Sequence, residues 1–138
     1  MTKINATKGE FVQMVNSLFS VRDLEGKDFA VTVAKNIQIL TDNLKDVEEA
    51  GKPSKEFMEL AMSVNAFTSK KDDDEAIYKV KELEEENKEL IDERRKQIEA
   101  VSILMEDELE LDLHPISETI IPESITATQI AGLTKILK

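Results

Sequence analysis

At 138 residues the chain has the length of one ordinary domain, with room for one core and little for a second. Its 41% apolar content excludes a disordered chain, while five Phe, one Tyr and no Trp leave most of the packing to aliphatic side chains, which favours helix on helix. The absence of cysteine excludes disulfides, thiolate metal sites and cysteine nucleophiles and favours a reducing compartment. A formal charge of -11 disfavours direct contact with a phosphate backbone.

Residues 2–5 read as a short strand or an extended lead-in. Thr7, with Glu10 three residues on, makes a capping box, and Phe11, Val12, Met14, Val15, Leu18 and Phe19 then recur at helical spacing, so a helix over 8–19 follows. After a short linker, Phe29, Val33, Ile37, Leu40, Leu44 and Val47 repeat at intervals of four and three, which predicts a second, long amphipathic helix over 27–50. Ala30 and Ala34 beside that stripe admit a close neighbour. Gly51 is placed to end the helix and Pro53 to enforce the stop. Ser54 caps a third helix over 54–67, with Phe57, Leu60, Ala61, Val64 and Phe67 on one side. Residues 68–74 form a joint.

The stretch 77–105 holds no glycine or proline and is dominated by strong helix formers, so it reads as one helix of about 43 Å. Its seam runs Ala76, Val80, Leu83 and Leu90, with polar members at Asn87 and Arg94. A seam of this kind needs a second helix over it. The helix over 27–50 in an antiparallel hairpin is the preferred cover, and a coiled-coil homodimer, in which Asn87 and Arg94 fix the register, is the alternative. Residues 108–114 then alternate polar and apolar, a half-buried strand with Leu109, Leu111 and Leu113 inward. Its partner is residues 3–5, residues 116–121, or a second subunit. Thr126 caps a last helix carrying Ile130, Leu133, Ile136 and Leu137.

The charge is uneven. Residues 1–71 carry ten acids and ten bases, 72–112 seventeen acids and six bases, and 113–138 two of each. The excess therefore lies on the long helix and its flanks, either as a solvated face or as a surface for a basic partner. Glu85, Glu89 and Glu93 represent that surface, and with Asn87, Arg94, Leu109, Leu111 and Leu113 they are the candidate partner-binding residues. No residue is a candidate for catalysis, a cofactor or a metal. His114, the one histidine, lacks a nucleophile elbow to work with, and four scattered glycines cannot form a phosphate loop. Asp72, Asp73, Asp74 and Glu75 could gather a divalent cation, yet they lack the calcium-loop spacing and suit a helix N-terminus.

The order FAVTVAKNIQIL, ENKELIDERRKQI, ELELDLHPI and IPESITATQIAGL resembles a class of small acidic helical proteins of tailed bacteriophages, of unassigned function, over roughly residues 27–138. The segment 53–67 departs from the compact versions of that class. The resemblance implies a viral origin, with the host cytoplasm or the virion as location, and no catalytic residue to carry over. The expected fold is one mainly α domain over 1–138. In it helices 27–50 and 76–106 form an antiparallel hairpin, shorter helices pack around it, and one short strand or β-hairpin lies near the C-terminus. The expected function is that of a non-enzymatic accessory protein, without cofactors. It would bind a phage structural or host protein, or a further copy of itself, in virion structure or assembly, with no direct contact to nucleic acid and no membrane. The alternative is an acidic nucleic-acid mimic that inhibits a host nuclease, polymerase or defence complex.

Overall fold

The N-terminal residues, left open between strand and lead-in, form strand β1 (Thr2–Thr7), and the alternating C-terminal stretch forms β2 (Glu108–Leu113). The two pair antiparallel over their whole length, from Thr2 opposite Leu113 to Thr7 opposite Glu108. Of the three partners the alternation allowed, the structure selects the N-terminal one. Period-two alternation buries Ile4, Ala6, Leu111 and Leu113 on one face, while Lys3, Asn5, Glu108, Glu110 and Asp112 stand in solvent on the other. The computed structural model that shows this describes residues 1–68 and 73–138. Among them the chain is mainly helical, the two-stranded sheet apart, and it divides into two compact units: 1–48 with 103–138, and 49–102.

In the first unit, the Thr7 hydroxyl accepts from the Glu10 N–H and the Glu10 carboxylate accepts from the Thr7 N–H, which starts α1 (Lys8–Val21) where the capping box placed it. Phe11, Met14, Leu18 and Val21 face inward at helical spacing. Gly26 turns the chain at φ 122°, a conformation that costs glycine little, and leads into α2 (Lys27–Asn43). Here α2 packs on α1, burying Phe29, Val33, Asn36 and Leu40. The helix expected over 27–50 is interrupted. Leu44 has φ -112° and ψ 14°, its N–H bonds to the Thr41 carbonyl in a tightened turn, and α3 (Lys45–Gly51) starts anew. Leu44 and Val47, on either side of this break, are both buried.

The C-terminal segment closes the same core. Ile116 bridges Leu137, with the Ile116 N–H on the Ile136 carbonyl at 2.7 Å. The expected last helix is shorter than its apolar spacing suggested. Thr126 and Gln129 cap α7 (Ala127–Ala131), and a 3-10 turn over Thr134–Ile136 follows. Leu133 and Ile136 are buried, and Ile130 is exposed. At Gly132 a Cβ would lie 2.3 Å from Ser17 Oγ, so the close approach of α1 requires glycine there.

The second unit is a helical hairpin. Ser54 Oγ accepts from the Phe57 N–H and starts α4 (Lys55–Thr68), which packs antiparallel on α5 (Asp74–Glu86); α6 (Lys88–Leu104) follows and meets α4 at Phe57. Phe67 lies under the Lys79 ammonium near the start of α5, and Phe57 lies under the Arg94 guanidinium on α6. The single helix expected over 77–105 is therefore two, joined at Asn87. Within this unit α4 supplies the cover that the sequence assigned to 27–50. From that assigned segment, Ala50 meets α6, and Gly51 beyond it does the same.

Candidate interaction surface

Asn87 and Arg94, the two polar members of the long seam, both donate to backbone carbonyls of their own chain. At Asn87 the backbone has φ -114° and ψ 26°, and the side-chain amide donates to the Leu83 carbonyl at 2.9 Å, the same oxygen that receives the Asn87 N–H. An amide that serves its own backbone in this way suits a helix end. Arg94 donates to the Gly51 carbonyl and to Gln97 Oε1, both at 2.8 Å, and Gln97 in turn donates to the carbonyls of Ala50 and Lys52. Three carbonyls left open at the end of α3 are thereby occupied by two side chains from α6. Lys52, Ser54, Phe57, Leu90, Glu93, Arg94 and Gln97 line a cleft of about 290 Å³ at this corner.

Glu85, Glu89 and Glu93 are exposed, and with Glu82 they follow helical spacing on the face away from Ala76, Val80 and Leu83. Among the described residues, Glu82, Glu84, Glu85, Glu86, Glu89, Glu93 and Glu99 take part in no ion pair; the pairs of α5 and α6 are Lys79 with Glu75 and Arg95 with Asp92. The face is acidic and unneutralised. Asp72, one of the four acids considered for a cation, lies outside the described residues. Asp73 caps α5, its carboxylate accepting from the Glu75 N–H. Among the described residues no three His, Asp or Glu side chains are placed to hold a metal ion.

Apolar exposure in this unit was not read from the sequence. Leu60 and Ala76 are its buried apolar residues, whereas Met58, Met62, Ile77, Tyr78 and Ile98 are 46–71% exposed. Met58 and Met62, four apart, stack on one side of α4, opposite the side that carries Leu60 and Val64. That spacing was the available signal, hidden by the stronger stripe of Phe57, Leu60, Val64 and Phe67.

In the first unit, Leu111 and Leu113 are core and Leu109 is half-buried, so all three serve the pairing with β1 within the chain. His114 follows directly. Its N–H donates to Asn36 Oδ1 and its carbonyl accepts from Asn36 Nδ2, both at 2.8 Å. Asn36 is fully buried and is the residue that sequence reasoning passed over. It stands three residues after Val33 and four before Leu40, a polar residue on an apolar stripe, which was its signature. On the opposite flank Val12, Val15, Asn16, Phe19, Thr41, Leu44, Val47 and Glu48 line a mostly apolar groove of about 370 Å³. None of these clefts unites a nucleophile, a base and an orienting acid. No helix among the described residues is long and apolar enough to cross a membrane.

Ion pairs tie the ends of the first unit together. The Lys8 ammonium bonds Asp46 at 2.6 Å and lies 3.8 Å from Asp107, and Lys135 pairs with Glu10. The Lys8 hydrogen bond holds the Asp46 carboxyl below its ordinary pKa, and the Asp46 hydrogen bond raises that of Lys8. Glu10 is lowered too, first by Lys135 and then by the Thr7 N–H. Comparison with family models, with curated proteins and with solved structures finds no match in any of the three.

Proposed function

We propose that the chain is a non-enzymatic protein-binding protein that works through its helical hairpin. One observation carries this reading: a unit of about fifty residues buries Leu60 and Ala76 and leaves Met58, Met62, Ile77, Tyr78 and Ile98 in water. Exposure of this many large apolar side chains against so few buried ones favours a partner that covers them, most of all at the adjacent Met58 and Met62. Methionine pairs suit such a surface because the flexible thioether adapts to what it meets. On the resemblance to small proteins of tailed bacteriophages, the partner is a virion or assembly protein, encountered in the host cytoplasm.

A second reading rests on the seven carboxylates without ion pairs among the described residues, which would dock on a basic groove of a host nucleic-acid enzyme or defence complex. One capture experiment separates the two. The tagged chain, a Met58→Ser/Met62→Ser/Tyr78→Ser variant and a Glu85→Lys/Glu89→Lys/Glu93→Lys variant are used to recover proteins from producing cells at low and raised salt. Partners lost with the first variant but kept at raised salt support the apolar reading. Partners lost with the second variant and with salt support the acidic one. Equal recovery by all three chains would sink both.

A further inference from the structure

The sheet of the first unit has two open edges, and they differ in what they would accept. The Lys8 N–H bonds the Asp107 carbonyl in the register of the ladder, so the even-numbered residues of β1 exchange hydrogen bonds with β2. The odd-numbered residues therefore turn their backbone groups outward. At Thr7 that N–H is taken by Glu10. By the same parity the N–H and carbonyl of Lys3 and Asn5 lie outside the ladder, and outside it no bond to them is present among the described residues. An open edge of this kind is a template for another strand.

We propose that β1 pairs with β1 of a second copy, antiparallel about a two-fold axis at Ile4, to make a four-stranded sheet in the order β2, β1, β1, β2. Placing the axis at Ile4 sets Lys3 opposite Asn5 of the other copy, and Asn5 opposite Lys3. All four outward groups of each strand are then used, in two reciprocal pairs. Because side chains alternate, the two Ile4 residues become neighbours on the buried face.

Charge decides between the edges. The strand β1 carries one base and no acid, and the proposed register sets no like charges opposite one another. On β2 the outward residues are Glu108, Glu110 and Asp112, so a two-fold at Glu110 would oppose carboxylate to carboxylate three times. The acids guard β2, and β1 has neither proline nor bulge to guard it. This inference concerns the first unit and stands independently of the hairpin surface.

Sedimentation equilibrium of the full chain, with three substitutions at one position, tests the pairing. Asn5→Pro removes an N–H that β2 does not use, and should leave helicity unchanged while abolishing the dimer. Asn5→Glu places a carboxylate opposite Lys3 of the other copy twice and should tighten association by about tenfold. Asn5→Lys places two ammonium pairs there and should weaken it by a similar factor, with recovery at raised salt. A chain that stays monomeric to millimolar concentration overturns the proposal, as does a dimer with equal affinity in the glutamate and lysine variants. If the proline variant does not fold, the glutamate and lysine pair decides alone.

Discussion

Replacing Asn36 by leucine should be the most damaging near-isosteric change in the first unit. The side chain is fully buried and satisfies both backbone groups of His114, at 2.8 Å each. Leucine fits the volume but leaves one N–H and one carbonyl unpaired, each at about 1–3 kcal/mol. The added apolar contact offsets part of this, so a loss of about 3 kcal/mol is expected. For a unit of this size that lowers Tm by about 12–24 °C, at 4–8 °C per kcal/mol. Thermal melts followed by circular dichroism measure it.

Asn36→Asp adds a pH axis. Its carboxylate can accept from the His114 N–H but opposes the His114 carbonyl, and only the protonated acid can donate there. The folded pKa of the new acid is therefore raised above the ordinary value of about 3.9. The variant should come closest to the native chain below that value and fall behind as pH rises through the folded pKa. A leucine variant that melts within 2 °C of the native chain, or an aspartate deficit that does not change with pH, would refute the assignment.

Glu10 and Asp46 have lowered pKa values, so their ion pairs contribute stability above the ordinary carboxylate pKa of about 4, lost as pH falls through the folded values. Urea midpoints from pH 6 to pH 2 should fall more gently in a Glu10→Gln/Asp46→Asn variant than in the native chain. Gly132→Ala sets a Cβ 2.7 Å from Ser17 Cβ and should cost about 1–3 kcal/mol by overpacking. Ser17→Gly in the same chain should restore much of that loss, and strict additivity in denaturant titrations would disprove the contact. Arg94→Met should cost about 1.5–3 kcal/mol by freeing the Gly51 carbonyl, read as earlier loss of helicity on heating; Arg94→Lys should recover little, since an ammonium cannot span Gly51 and Gln97 as the guanidinium fork does.

Apolar spacing revealed where helices lie but not where they stop. The break at Asn43-Leu44 carried one local signal, Asn43, a poor helix former whose side-chain amide donates to the Ile39 carbonyl at 2.7 Å. At Asn87 the warning was present, a poor helix former on a seam, but a register-fixing role and a helix end call for the same residue type. The cover of the long seam was misassigned for a related reason. Helices α2 and α4 carry comparable stripes, and the nearer in sequence took the position, as short connections favour. The β1–β2 pairing could be narrowed from sequence only to three partners, because alternation records which face is buried and not which strand lies alongside. Asn36 stood out in the sequence only as a polar residue on an apolar stripe; its partner is the His114 backbone, which no spacing marks.

The division of the chain also orders events in time. The first unit is built from residues 1–48 and 103–138, and the second, residues 49–102, is inserted between those halves in sequence. During synthesis the hairpin can form as soon as it emerges. Phe11, Leu18, Phe29, Val33 and Leu40 must wait for Leu111, Leu113, Ile116, Leu133 and Ile136, which at 5–20 residues per second is an interval of about five to twenty seconds. Until Ile136 is made the nascent chain bears an uncovered apolar face, and until Leu113 is made an unpaired β1, so its aggregation-prone stage lasts through most of synthesis. A shorter loop in place of 49–102 would bring the two halves together sooner, at a loop-closure cost that changes by only about 0.6 kcal/mol for each halving of length.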